Sequence, residues 1–276
     1  MNRAQERSNN LPIKGNLSRT YVVSLVIALL MTAASVAGCL YPTVIYPTDE
    51  LLQSLMPNDA VNLLIGVPIL LGSMWLARRG QLIGLLFWPG ALLYVLYNYL
   101  AYVFAMPVGV PFMVSLTLAT LSAYAIIGLV SSIDATAVKR RLVGAVPERV
   151  AGAALAGLGT LFFVRVLAVI VGARANHTPV GTTELAVLVA DAVTSPVSII
   201  GGLLLWQRKP LGYVAGMGLL FQSSMLFIGL IMFMLLQPLL TTAPFNPVDV
   251  VVVFIMGLVS FIPFLFFARG ALSSRD

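Results

Sequence analysis

Eight stretches of this chain are each long and apolar enough to cross a bilayer, and no other feature restricts its fold so strongly. They lie at about 20–41, 59–77, 81–104, 111–133, 151–173, 185–206, 211–236 and 248–268. A helix needs about 20 residues to cross roughly 30 Å of hydrocarbon. Inside hydrocarbon every backbone N–H and C=O must be bonded within the protein, so segments of this length become helices. Only 9% of the 276 residues are charged and 59% are hydrophobic, which excludes an ordinary soluble domain.

The basic residues orient the spans. Arg3, Arg7, Lys14 and Arg19 precede span 1, and Arg78 and Arg79 follow span 2. Lys139, Arg140, Arg141 and Arg149 lie between spans 4 and 5, Arg208 and Lys209 follow span 6, and Arg269 and Arg275 follow span 8. Fourteen of the sixteen basic residues thus share one side, which the positive-inside rule makes cytoplasmic. Asp49, Glu50, Asp59, Glu184 and Asp249 gather near the other. The net charge of +6 therefore reports orientation and contact with anionic headgroups, not binding of nucleic acid.

The expected fold class is all-α: a polytopic membrane helix bundle with eight transmembrane helices as two parallel four-helix repeats and both termini cytoplasmic. Asp59–Ala60–Val61 recurs as Asp191–Ala192–Val193, and Gly80-x-x-x-Gly84 as Gly212-x-x-x-Gly216, both at an offset of 132. Trp75 and Arg78 match Trp206 and Lys209 with one residue of slip. The expected organisation is a tail over 1–19, a first repeat over 20–133, a linker over 134–150, a second repeat over 151–268 and a tail over 269–276. Thr48–Asp49–Glu50, followed by Leu51, Leu52, Leu55, Met56 and Pro57, reads as a capped amphipathic turn on the outer surface. Pro68 and Pro196 interrupt spans 2 and 6, each freeing a carbonyl one turn earlier.

Two charges sit inside the spans. Arg165 lies about eight residues below the outer end of span 5, and Asp191 about seven below the outer start of span 6. Both are therefore roughly 10–12 Å deep on adjacent antiparallel helices, where they can pair. Intramembrane charges mark functional sites by default, although such a pair can also serve only to fix helix orientation. Tyr94, Asn98 and Tyr102 share one face of span 3 at the same layer, with Tyr97 beside them. Asp59 and Asn62 open span 2 slightly nearer the surface, and Thr117, Thr120 and Tyr124 form a stripe on span 4. Gln222, Ser223 and Ser224 could floor a cavity lined by these groups. The alternative assigns Tyr97, Tyr99 and Tyr102 to an interfacial aromatic belt and the rest to hydrogen bonds between helices.

Several chemistries are disfavoured. His177 is the only histidine and Cys39 the only cysteine, so neither a histidine metal cage nor a multi-cysteine site can form. No span carries a lysine, and no HExxH, GxSxG or phosphate-loop motif is present. No cofactor or metal is expected, and an enzyme is disfavoured. Val36–Ala37–Gly38–Cys39 matches a lipobox, and Asn176–His177–Thr178 a glycosylation sequon. An ordinary first span, whose 22-residue apolar run is long for a signal peptide, and an ordinary outer loop are the preferred readings.

The runs Asp59-x-x-Asn62-Leu63, Pro68, Trp75-Leu76-Ala77-Arg78-Arg79-Gly80, Tyr97–Asn98–Tyr99 and Trp206-x-Arg208-x-Pro210-x-Gly212-Tyr213 resemble those of an uncharacterised family of prokaryotic multipass integral membrane proteins. The resemblance spans most of the chain and implies a prokaryotic cytoplasmic membrane, but no activity. Two functions remain open. One is an outward-facing polar pocket for a small molecule or ion, as in a transporter or receptor-like binder. Its ligand-binding residues would be Arg165, Asp191, Asn98, Tyr94, Asp59 and Asn62. The other is a structural or sensory partner, in contact with another membrane protein or a second copy, whose buried polar groups only fix packing.

Overall fold

A computed structural model describes residues 11–273. Arg3, Arg7 and Arg275, together with the distal parts of both expected tails, lie outside the described residues. Within them the chain is helical, with one isolated bridge between Ile13 and Ile133. The helices are α1 (Ser18–Leu40), α2 (Pro42–Ile45), α3 (Asp49–Val61), α4 (Val67–Arg78), α5 (Leu82–Ala105) and α6 (Val110–Ser132). They continue as α7 (Ala135–Leu142), α8 (Glu148–Ala175), α9 (Thr182–Trp206), α10 (Pro210–Leu240) and α11 (Pro247–Ser273). A π turn over Asn62–Gly66 joins α3 to α4, giving one span from Asp49 to Arg78. Eight helices are long and apolar enough to cross a membrane, so the chain is an integral, multi-pass membrane protein with lipid around its apolar faces.

Seven of the spans begin and end within a few residues of the expected positions. Span 2 does not: the helix starts at Asp49, ten residues before the expected start. Thr48 caps it, its hydroxyl accepting from the Leu51 N–H at 3.3 Å. Pro57 was expected to end the amphipathic turn, but the helix runs through it. Proline cannot donate to the carbonyl one turn earlier, here Gln53. That carbonyl instead accepts from the Gln237 amide of α10 at 3.1 Å. The expected linker 134–150 also contains a helix, α7. Asp134 caps it by accepting from the N–H groups of Thr136 and Ala137, while Val138 and Leu142 bury its apolar side.

Two helices form the centre. Three-quarters or more of the α5 membrane window is buried, and the bulky Trp88, Leu85, Leu86 and Leu92 are fully enclosed. Helix α10 crosses α5 where Gly90 meets Gly218, and a Cβ on Gly90 would strike the Gly218 carbonyl. The other spans surround this crossing.

Arg78, Arg79, Lys139–Arg141, Arg208, Lys209 and Arg269 lie at one end of the bundle, called here the basic end. Asp49, Glu50, Glu184 and Asp249 lie at the acidic end. The basic end is closed by tight contacts. Gly84 fits against the backbone of Leu76 and Ala77, Gly212 against that of Leu204 and Leu205, and Gly152 against Gly202 and Trp206. Glu148 is buried there, accepting from the Gly144 N–H at 3.0 Å and the Tyr213 hydroxyl at 3.1 Å. The acidic half is looser. In α11 no residue from Pro247 to Met256 is buried, whereas Gly257, Ser260, Pro263, Phe267 and Ala271 are.

Candidate functional site

The looser half encloses a cavity of about 630 Å³ between α3, α5, α8, α9, α10 and α11. One wall is polar, carried mainly by α5 and α9: Asn98, Tyr97, Tyr102, Asp191, Thr194 and Ser195. The facing wall is apolar, with Phe162, Leu226, Phe227, Leu230, Phe233 and Met256. Gln222 and Ser223 line it on α10, towards the basic end, and Ser54, Thr183 and Glu184 lie at the acidic end. Glu50 ties that mouth together by accepting from the Thr183 N–H and hydroxyl at 3.1 and 2.8 Å.

Arg165 and Asp191 meet on this wall. Arg165 Nη1 donates to Asp191 Oδ2 at 2.9 Å. The Tyr97 hydroxyl donates to the other carboxylate oxygen at the same distance. Asp191 is buried, but the Arg165 side chain is 42% exposed. The pair uses one guanidinium N–H, and Arg165 lines both the cavity and a shallow groove on the outer face of α8. Asp191 lies nine residues below the start of α9 and Arg165 ten below the end of α8, so both are about 13–15 Å from those helix ends. Their matching depth follows from the hairpin that joins the two helices.

Of the other expected residues, Asn98 lines the cavity, its side chain anchored to the Tyr94 carbonyl at 2.9 Å and accepting from Asn58 at 3.2 Å. Tyr94 also lines it. Asp59 and Asn62 do not. They turn towards α1, where Asp59 accepts from Tyr46 and, at 3.0 Å, from Tyr102. Burial, reinforced by the neighbouring carboxylate, pushes the Tyr46 hydroxyl well above the usual tyrosine range, so it remains a donor. Asn62 is fully buried without a protein partner. The Thr117–Thr120–Tyr124 stripe of α6 faces away from the bundle: all three are exposed, and Thr117 bonds to its own helix at Met113. Ser224 packs against Ser260 of α11 at 3.0 Å, while Ser223 reaches both that hydroxyl and the cavity.

Asn58 and Tyr46 carry no signal in the sequence that marks them as part of this polar network. Asn58 bridges Asn98 and the Tyr102 hydroxyl, and Tyr46 lies in the connection before α3, where a single tyrosine carries no periodic signal. Tyr97 differs: its place beside Asn98 at the depth of Asp191 was visible, but its partner was not.

Among the described residues no group of three or more histidine, cysteine or acidic side chains comes together to hold a metal. The chain matches no family model, no curated protein and no solved structure with which it was compared.

Proposed function

We propose that this protein is a membrane-embedded binder whose cavity takes a small amphipathic molecule carrying an anionic group, admitted from the extracytoplasmic side. The observation that carries this reading is the Arg165–Asp191 pair on the wall of a largely apolar cavity. Arg165 retains donors for a carboxylate or phosphate, and Asp191 with Tyr97 holds the guanidinium in place. The apolar wall of Phe162, Phe227 and Phe233 suits the hydrocarbon part of such a molecule. With the positive-inside rule, the basic end is cytoplasmic and the cavity opens outward in a prokaryotic cytoplasmic membrane. Close glycine packing at the basic end favours a binding pocket over a through-path.

The same reading treats the spans as two four-helix repeats. The turns after α4 and α9 share one hydrogen-bond pattern: Gln81 N–H to Leu76 O, and Lys209 N–H to Leu204 O. Both turns have a positive φ, at Gly80 and Arg208, and these residues are 128 apart. Pro68 and Pro196 share that offset, as do Gly90 and Gly218, which touch each other at the centre. This register replaces the offset of 132 and aligns Asp191 with Leu63 rather than with Asp59.

A second reading, as a packing partner for another membrane protein or a second copy, draws support from α8. Its exposed face presents Ala153, Ala156, Gly157 and Thr160 in a shallow groove. Accessibility separates the two. With Cys39 replaced by Ser, Ser198→Cys and Leu230→Cys are expected to react in intact cells with a membrane-impermeant thiol reagent added outside. Reaction only from the cytoplasmic side, or from neither side, would exclude the outward cavity.

A further inference from the structure

We propose that a second site, distinct from the cavity, binds one monovalent cation between α1, the π turn and α5, with Asp59 as its charged ligand. Asp59 is 1% exposed. Its oxygens accept from the Tyr46 and Tyr102 hydroxyls, and among the described residues no basic side chain is paired with it. The titratable groups facing it are Cys39 from α1, Tyr46 from the connection, and Tyr99 and Tyr102 from α5. None is a cation. Tyr102 has a single proton for two acceptors, the Asp59 carboxylate at 3.0 Å and the Leu55 carbonyl at 3.1 Å, so it satisfies the carboxylate only in part. A buried carboxylate without a countercharge is costly, and the protein keeps this one beside further polar groups.

Those groups are the second observation. Asn62 Oδ1 and Nδ2 are buried without a hydrogen-bond partner, and Ser35 Oγ and the Tyr99 hydroxyl are buried beside each other and beside Asp59 without reaching hydrogen-bond geometry. They account for all but one of such side-chain atoms among the described residues, the other being Ser122 Oγ. Helix register brings them together. A Cβ on Gly38 would strike the Asp59 carboxylate, and one on Gly66 would strike Met31. Ser35 lies between Met31 and Gly38 on the same face of α1, so it faces the turn at Asn62, between Asp59 and Gly66. Its hydroxyl is adjacent to both Asp59 and Tyr99. The π turn begins at Asn62, and such turns recur at functional sites because they redirect side chains within a helix.

The donor set selects the ion. Carboxylate, hydroxyl and amide oxygens are hard ligands suited to Na⁺ and poor ones for soft metals. One carboxylate balances one positive charge, whereas a divalent ion would leave uncompensated charge in a low-dielectric interior. Asp59, Ser35, Asn62 and Tyr99 do not line the cavity, but Tyr102 touches both sites.

The test uses the full chain in nanodiscs, with thermal unfolding followed in NaCl and in choline chloride at matched ionic strength near neutral pH. Wild-type Tm should rise with Na⁺ and saturate, and Asp59→Asn should abolish the rise. Ser35→Ala should raise the half-saturating Na⁺ concentration several-fold. A folded Arg165→Leu/Asp191→Leu protein should keep the full Na⁺ response, which separates this site from the cavity. The proposal is overturned if wild type responds alike to Na⁺, K⁺, Li⁺ and choline, or if Asp59→Asn keeps the response. It is also overturned if Tm shifts with pH but not with Na⁺ at any pH, since the carboxylate then holds only a proton. Should Asp59→Asn fail to fold, Ser35→Ala decides: an unchanged half-saturating concentration overturns the site.

Discussion

The Tyr97 hydroxyl donates to Asp191 Oδ1 at 2.9 Å, on the carboxylate oxygen that Arg165 leaves free. Two donors from two different helices thus hold one buried acceptor, and the guanidinium is positioned without being used up. The pair is a contact between α8 and α9, and under the proposed function it also supports the group that binds the anion.

Arg165→Ala should destabilise the protein, because Asp191 keeps only Tyr97 as a donor. Breaking a fully buried pair costs about 3–5 kcal/mol. The loss here should be smaller, since Arg165 is half exposed and Tyr97 remains. Arg165→Leu combined with Asp191→Leu should recover most of that loss. Unfolding of purified protein measures both; a double variant no more stable than Arg165→Ala would remove the pair from the account.

Gln237 and Pro57 should be energetically coupled. Gln237→Leu strands the Gln53 carbonyl, with an expected cost of about 1–3 kcal/mol. In a Pro57→Ala background the residue-57 N–H can take that carbonyl, so the same change should cost much less. A double-mutant cycle gives the coupling directly. Additive effects would mean that the helix passes Pro57 for another reason.

The two central glycines should not be equivalent. Gly90→Ala drives a methyl into the Gly218 backbone, which cannot move without separating α5 from α10. Gly218→Ala meets its nearest atom, the Gly90 nitrogen, at 3.3 Å and requires only a slight shift. Overpacking of the first kind costs about 1–3 kcal/mol. Gly72→Ala, with nothing within 4 Å, is the neutral control. A thermal scan should rank them Gly90, Gly218, Gly72 in decreasing damage.

Much of this architecture was legible because hydrocarbon imposes a length on every span and hairpins impose a depth. The eight helices and the Arg165–Asp191 pair follow from those two constraints. Span 2 was misplaced because Pro57 and the charged Asp49–Glu50 read as punctuation, and the group that rescues the helix, Gln237, lies 180 residues further on. Helical rotation was the other missing quantity. Asp59 and Asn62 share the layer of the cavity but face α1, and the stripe on α6 faces away, because depth fixes height along a helix and not direction around it. Tyr102 was legible as a member of the polar face, but its contact with Asp59 depends on that same rotation.

The central claim is that the cavity recognises an anionic group on an apolar body. Its most direct test is thermal stabilisation of the full chain in nanodiscs by octanoate, octyl phosphate and octyl sulfate, with octanol as the uncharged match. Wild type should show saturable stabilisation by at least one anion beyond that given by octanol, and the folded Arg165→Leu/Asp191→Leu protein should lose the difference. Equal responses to anion and alcohol in wild type, or the same anion response in both proteins, would contradict the account.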